Sequence, residues 1–248
     1  MLKNKTNRQV VVSLVFLFLL MTACSNNRTT VTFVQPTQFP AAIVAEYFPL
    51  SKGAYWIYEG DVKWQIGSDI FEETMRWKME VVEVVERNDI IGYKMLGALW
   101  DLEFYQDGRQ PSEFAFIKVG TGRIYRGTID QYSRMKDEND PLVDLVYDGD
   151  LFMDIPLTDG EKTCEAFSIA RPDGFYCWRV KASETQLTDV VGVDTTIPMT
   201  EFVVSQSTNP DYSEFHFVPG IGITQFKYVH HGTISEVNIS LVEYHSEQ

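Results

Sequence analysis

The chain has 248 residues, of which 44% are hydrophobic and 13% are aromatic, and its formal net charge at pH 7 is −14. This apolar content is enough to form a core, which excludes an intrinsically disordered chain. The acidic surface repels phosphate groups, so we expect no nucleic acid partner.

The first 23 residues have the pattern of a secretory signal peptide. Lys3, Lys5 and Arg8 form a positive start, and the apolar run Val10–Met21 follows. A helix needs about 20 apolar residues to span a bilayer, so this run is too short to remain in one. We therefore predict that residues 1–23 are removed during export.

The end of this segment, Leu20-Met21-Thr22-Ala23-Cys24, resembles the lipobox of bacterial lipoproteins, although Met21 departs from the usual Leu, Val or Ile. In that family the cysteine after the cut carries fatty acyl chains, and several chains anchor a protein stably. The resemblance implies that Cys24 attaches the chain to the cell membrane or outer membrane, on the extracytoplasmic side. Ser25 in place of Asp is compatible with the outer membrane. The rival interpretation is an ordinary signal peptide with an incidental cysteine.

Residues 24–46 are predicted to be a flexible tether, and residues 47–248 a single domain. The first segment is rich in Thr, Asn, Gln and Pro, and Pro36 and Pro40 favour an extended chain. Loss of residues 1–23 would leave 18 basic and 35 acidic side chains, which is a net charge of −17. About 200 residues remain, the length of one domain that buries roughly 70% of its unfolded surface.

Alternating apolar and polar residues predict a mainly β domain, with an antiparallel sheet that is curved or partly closed (half-barrel or barrel-like) and few or no helices. A helix is the rival at 71–85, since Glu72 could reach Arg76, but the β-branched residues after Met79 favour a strand. Residues 127–141 read as a surface loop or a short helix. The main predicted strands are 71–85, 113–119, 175–182, 213–218, 221–229 and 233–245, the last two forming a hairpin around His230-His231-Gly232.

Cys164 and Cys177 are the cysteines that follow Cys24. Export would place them in an oxidising compartment, where such a pair forms a disulfide. A zinc pair is the first alternative, but no further Cys or His lies nearby in the sequence to complete four ligands. The second alternative is that both cysteines are free, buried thiols. We predict the disulfide.

A short motif occurs twice in the chain. Residues 49–53 read Pro-Leu-Ser-Lys-Gly, and residues 156–160 read Pro-Leu-Thr-Asp-Gly. Proline at the start of a strand and glycine in a turn have defined physical roles, since they set a bend before a buried strand. The two matches are consistent with an internal duplication or with chance.

The stretch YFPLSKGAYWIYEG (47–60) resembles the YFPLxxGxxWxY start of the mature domain in a group of bacterial lipoproteins of unassigned activity. In that group a PGxG turn often precedes the last hairpin, and here residues 219–222 read PGIG. The resemblance implies an extracytoplasmic antiparallel β domain and no particular reaction. Tyr55, Trp56 and Tyr58 could line a binding surface, but aromatic strands of this kind are more often core.

No catalytic, metal-binding or cofactor-binding pattern stands out, so we predict no enzyme activity, no metal and no cofactor. The sequence lacks the HExxH and GxSxG motifs. His230 and His231 fall in the predicted turn, His216 points away from its phenylalanine neighbours, and His245 is near the end of the chain. The acidic run 136–141 resembles a calcium loop only loosely.

The sequence favours a non-enzymatic, membrane-tethered binding or envelope-support protein. One alternative is a carrier of hydrophobic ligands or lipids with a LolA-like or lipocalin-like cavity, in which Trp77, Phe114 and Trp178 would line the ligand site. That alternative rests on fold analogy alone. The other alternative is an envelope hydrolase, which would need a pocket that gathers His216 with at least two carboxylates.

Overall fold

The computed structural model describes residues 47–106, 108–120, 122–164, 173–194 and 196–246. The predicted signal peptide and tether, with the lipidation site Cys24, lie outside these residues and remain predictions. Within the described part of the chain, no helix has both the length and the apolar character that crossing a membrane requires.

The described residues form one antiparallel sheet of twelve strands, as the alternating pattern predicts. The strands are β1 (Tyr55–Ile66), β2 (Asp69–Arg87), β3 (Ile90–Leu96), β4 (Glu113–Val119), β5 (Arg123–Gly127), β6 (Leu151–Asp154), β7 (Lys162–Cys164), β8 (Cys177–Thr185), β9 (Met199–Ser207), β10 (Asp211–Val218), β11 (Gly222–His230) and β12 (Ser235–His245). Their order across the sheet is β6-β5-β4-β3-β2-β1-β12-β11-β10-β9-β8-β7. The first strand thus pairs with the last, while β6 and β7 form the two ends.

Curvature of the sheet brings residues from its two halves together. The ring centroid of Phe152, on the terminal strand β6, lies 5.4 Å from that of Phe215 on β10. These strands are far apart in the sheet order, so they meet only because the sheet bends around its inner face. The fold prediction of a curved antiparallel sheet is confirmed, and the sheet does not close into a barrel.

Two segments that the sequence left open are now assigned. The range 71–85 lies within β2, so it is a strand and not a helix. Residues 127–141 contain one helix, α1 (Ile129–Lys136). A capping box starts it, because the Thr128 side chain accepts from the Gln131 N–H and the Gln131 side chain accepts from the Thr128 N–H.

The hairpin turn between β11 and β12 begins later than predicted. His230 is the last residue of β11 and is paired with both Ser235 and Asp211, so the turn starts at His231. The prediction that His230 belongs to the turn was therefore wrong, because the strand pairing continues through it. This places His230 beside a neighbouring strand rather than in solvent.

Aromatic side chains fill the inner face of the sheet. Trp56 and Tyr58 are fully buried, and the Trp56 Nε1–H donates to the Ile221 carbonyl oxygen at 2.6 Å. Tyr55 lies on the other face of β1, where its hydroxyl donates to Glu243 at 2.8 Å. The aromatic run that starts the domain is thus mainly core.

The strand β4 is buried on both faces, which explains its lack of polar alternation. Phe114 and Phe116 belong to the inner core. Ala115 and Ile117 form a second cluster with Tyr132 of α1. The helix therefore covers the outer face of the sheet at this position.

The disulfide predicted from the sequence is present. It joins Cys164, the last residue of β7, to Cys177, the first residue of β8. The two residues are direct cross-strand partners, so the register of this hairpin brings them together. Neither the zinc pair nor the free thiols describe this site.

The repeated proline-leucine motif adopts the same hydrogen bonding twice. The Gly53 N–H donates to the Val81 carbonyl at 2.9 Å, and the Gly160 N–H donates to the Val180 carbonyl at 3.0 Å. In each case the valine N–H donates back to the residue after the glycine, at 2.9 Å and 3.0 Å. Both glycines have a positive φ, of 86° and 79°, which glycine adopts at low cost. The sequence echo is therefore also a structural one, and each copy precedes a run of six consecutive strands.

Candidate functional site

The candidate site is a cavity of about 330 Å³ on the inner side of the curved sheet. Ligand sites for small molecules occupy roughly 300–1,000 Å³, so its size suits a compact ligand. We call it the aromatic cavity, because six of its lining residues are Trp100, Phe104, Phe152, Trp178, Phe215 and Tyr228.

These aromatic residues come from both halves of the chain. Phe215 forms part of the buried floor, and its ring centroid lies 5.9 Å from that of Trp178. Trp100, in a short 3-10 turn after β3, has its ring centroid 6.3 Å from that of Phe152. Phe104, which is 43% exposed, lies at the rim. The cavity therefore depends on sheet curvature and not on any one segment.

Charged groups also line the cavity, among them Glu103, before β4, and Arg126, on β5, from the part of the chain with the first six strands, and Asp211, on β10, from the part with the last six. Burial raises the pKa of the Glu103 carboxyl to about 7, while the nearby charge of Arg126 lowers it and that of Asp211 raises it. No hydrogen bond to the Glu103 side chain occurs within the described residues. The Arg126 guanidinium carbon lies 5.0 Å from the centroid of the Trp100 ring.

Asp211 is, by contrast, held firmly by neighbouring donors. Its Oδ1 accepts from the Tyr228 hydroxyl and from His230 Nδ1, each at 2.7 Å. Burial acts to raise the pKa of Asp211, but the hydrogen bonds from His230 and Tyr228 outweigh it and place the pKa below its ordinary value. Glu103 and Asp211 thus line the same cavity with pKa values shifted in opposite directions.

The loop that carries Glu103 is tied down by one arginine. The Arg109 guanidinium donates to the carbonyl oxygens of Asp101, Glu103 and Phe104, at 2.6, 2.9 and 3.2 Å. The Phe104 N–H donates to Ser235 Oγ at 2.8 Å, and Phe104 has a φ of 48°, which is unusual for a bulky residue. These contacts fix the backbone from which the Glu103 side chain extends.

The structure places the three predicted ligand-lining residues differently. Trp178 lines the aromatic cavity. Trp77 is buried in the core, where its Nε1–H donates to the Gly97 carbonyl at 3.1 Å. Phe114 packs edge-on against Trp100, with centroids 4.8 Å apart, behind the lining. The predicted set is therefore divided between the cavity and the core.

His216 lies on the outer face of the sheet between two carboxylates. Its Nδ1 is 3.0 Å from Glu201 Oε2, and its Nε2 is 2.9 Å from Glu214 Oε1. Lys227 Nζ also contacts Glu214 at 2.9 Å. The cluster combines His216 with two carboxylates, as a hydrolase would require, but it does not line the aromatic cavity and both ring nitrogens are occupied.

This cluster gives stability a defined pH dependence. Burial acts to lower the pKa of His216, but the hydrogen bonds to Glu201 and Glu214 outweigh it, so the pKa lies above its ordinary value. Protonated His216 therefore stabilises the fold. This contribution is fully present below the pKa of the unfolded chain, about 6.5, and it is lost as the pH rises through the pKa of His216 in the folded protein. Burial acts to raise the pKa of Glu214, but the hydrogen bonds from Tyr212, His216 and Lys227 outweigh it and lower the pKa to about 2, so Glu214 stays ionised across this range.

We expect His216→Gln to lower the free energy of unfolding by about 2 kcal/mol at pH 5.5 and by clearly less at pH 9. Urea denaturation at both pH values measures the difference. His231→Gln, in the exposed turn, is the matched control and should change little at either pH. An equal loss at pH 5.5 and pH 9 for His216→Gln would contradict the assigned charge state.

No metal site emerges from the described residues, since no group of three or more His, Cys, Asp or Glu side chains is placed to hold an ion. The acidic run 136–141 is instead tied to arginines. Arg134 Nε donates to Asp140 Oδ2 at 2.8 Å, and the Arg87 guanidinium donates to carbonyl oxygens of the same loop, at 2.7 Å for Asp137.

Comparisons with known proteins assign no family. No family model matches the chain, and the search of curated proteins finds no match. One solved structure that partly superimposes on this chain is a Bacteroides fragilis protein described as a candidate exported protein with a YmcC-like fold. It is 9% identical, the match covers 81% of this chain and 99% of that one, and the TM-score is 0.35. An overlap this loose does not transfer the properties of that protein to this chain.

Proposed function

We propose that this chain is a lipid-anchored, extracytoplasmic protein that binds a small polar ligand in the aromatic cavity and does not transform it. The observation that carries the proposal is the composition of that cavity. Aromatic walls surround Glu103, which has no hydrogen-bond partner among the described residues, and Arg126, whose guanidinium contacts only an aromatic face there. Sites of this composition hold ligands by stacking and by a few placed polar contacts.

A lipid carrier fits this cavity less well. A purely apolar ligand would displace water from Glu103 and Arg126 without replacing their hydrogen bonds, which is costly. The volume of about 330 Å³ is also at the lower limit for ligand sites. A compact ligand with polar groups satisfies both constraints.

A hydrolase is the second candidate, because Glu103 and Asp211 have pKa values displaced in opposite directions, as in acid–base pairs. The hydrogen bonds that Asp211 accepts favour ligand binding over hydrolysis. Asp211 Oδ1 already accepts from Tyr228 and His230, so this carboxylate fixes the cavity wall. Recovery of a bound compound in a chemically altered form after incubation would favour the hydrolase.

The anchor rests on the lipobox resemblance at Cys24 and is tested by one substitution. We expect Cys24→Ala to move the protein from the membrane fraction to the soluble fraction, because it removes the only acyl attachment point proposed here. Ser25→Ala is the matched control and should stay in the membrane fraction. Membrane association of the Cys24→Ala protein after a high-salt wash would overturn the anchor.

Ligand binding is tested by closing the mouth of the cavity. Gly149 lines the cavity, and a Cβ added there would meet no atom within 4 Å. That open space leaves room for a larger side chain, so we expect Gly149→Trp to obstruct the opening, whereas Gly149→Ala leaves it open. Native mass spectrometry and thermal shift with a small-molecule library should detect ligands on the wild type and on Gly149→Ala only. Equal binding to Gly149→Trp, or no ligand on any form, would contradict the proposal.

A further inference from the structure

We infer that the aromatic cavity selects an organic cation, namely a compact compound that carries an ammonium group. This inference rests on the proposed ligand-binding function and names the class of its ligand. Three features of the cavity point to it: the balance of its charges, a cation already stacked on its wall, and a carboxylate that has no positive partner at hydrogen-bond distance among the described residues.

The charges that line the cavity are mostly negative. Glu103, Asp150 and Asp211 contribute carboxyl groups, and Arg126 contributes the only guanidinium among the described lining residues. The whole chain, with a net charge of −14, adds to this potential. An anionic ligand would meet repulsion from the wall and from the surface around it, whereas a cation is attracted by both.

The wall of the cavity already holds one cation. Arg126 lies over the face of Trp100 at 5.0 Å, within the distance at which a ring quadrupole attracts a positive charge. Phe152 and Trp178, which also line the cavity, are only half-buried and so have surface left for a ligand. Exposed aromatic faces are the usual receptor for quaternary ammonium groups.

Glu103 is the carboxylate that lacks a counter-charge at hydrogen-bond distance. The charged and titratable groups that face it are Arg126 from β5, Asp211 from β10 and Tyr228 from β11. Asp211 already accepts hydrogen bonds from Tyr228 and from His230. A bound ammonium group would add a second positive charge near Glu103, beside that of Arg126, and would favour the ionised form of Glu103.

Ionisation of Glu103 gives the inference a signature that a structural role would not produce. Its pKa of about 7 means that part of the free protein carries a proton on Glu103 at pH 7. A cation lowers that pKa, so binding releases protons to the buffer. The observed binding enthalpy then differs between phosphate and Tris, whose ionisation enthalpies differ.

The test uses three probes of the same shape and different charge. Choline is the cation, 3,3-dimethylbutan-1-ol is its neutral isostere, and 3,3-dimethylbutanoate is the anion. We expect calorimetry on the full chain in detergent, at pH 7, to show choline at least ten times tighter than the neutral isostere and no binding of the anion. Proton release should accompany choline alone.

Two variants assign the effect to the carboxylates. Glu103→Gln should weaken choline about tenfold, abolish the buffer dependence of the enthalpy and leave the neutral isostere unchanged. Asp150→Asn, at another carboxylate of the lining, should weaken choline two- to threefold, and it keeps the inference testable if Glu103→Gln does not fold. Gly149→Trp should abolish binding of every probe.

The outcomes separate this inference from the proposed function. Equal or tighter binding of the neutral or anionic probe, or no binding of choline, would overturn the cation inference. In that case a different ligand that is lost from Gly149→Trp would still support the proposed binding function. Failure of both experiments would overturn both.

Discussion

Replacing Trp56 by alanine is expected to lower the free energy of unfolding by about 4 kcal/mol. The indole is fully buried, and its ring packs edge-on against Phe48 with centroids 5.8 Å apart. Truncation leaves a large cavity and deprives the Ile221 carbonyl of its 2.6 Å hydrogen bond. A loss of this size is a large share of the roughly 5–15 kcal/mol that stabilises a typical domain.

Urea denaturation followed by circular dichroism measures this loss, and the neighbouring residue supplies the control. Tyr55 lies on the opposite face of β1, where it is only half-buried and donates to Glu243. We expect Tyr55→Ala to cost about 1 kcal/mol. Similar costs for the two substitutions would contradict the assignment of the inner face as the core.

Replacing Asp211 by alanine is expected to lower the free energy of unfolding by about 3 kcal/mol, without removing any apolar core residue. The substitution removes the acceptor of the Tyr228 hydroxyl and of His230 Nδ1. A donor that is left without a partner in a buried position costs about 1–3 kcal/mol. Asp211→Asn retains one acceptor oxygen and should lose about 1 kcal/mol.

The control for Asp211 comes from the same cavity. Asp150 lines it, but no hydrogen bond to its side chain occurs within the described residues. We expect the unfolding free energy of Asp150→Ala to stay within about 0.5 kcal/mol of the wild type. A loss at Asp150 as large as that at Asp211 would mean that the carboxylates act together through charge and not through hydrogen bonds.

The strands could be predicted because their pattern is local. The range 113–119 coincides with β4, and 221–229 with 233–245 differ from β11 and β12 by one or two residues. Alternation of side chains between two faces is a property of a strand itself, so no knowledge of its neighbours is needed. The turn at His230 was misplaced because only pairing with adjacent strands decides where a hairpin ends.

The aromatic cavity could not be predicted, because its residues meet only through sheet curvature. Glu103 follows a 3-10 turn, Arg126 lies on β5 and Asp211 on β10, and nothing in their local sequences links them. Trp178 and Trp77 are both aromatic strand residues with similar neighbours in the sequence. Only the position of each strand in the sheet decides that the first borders a cavity and the second is packed in the core.

The two edge strands of the sheet affect how readily the protein aggregates at high concentration. An open sheet exposes unpaired N–H and C=O groups at its borders, which invite addition of a strand from another molecule and growth of fibrils. Here the border strands are β6 and β7, of four and three residues. Segments this short offer too few backbone groups to template a foreign strand, so concentrated molecules would resist aggregation through these sheet edges.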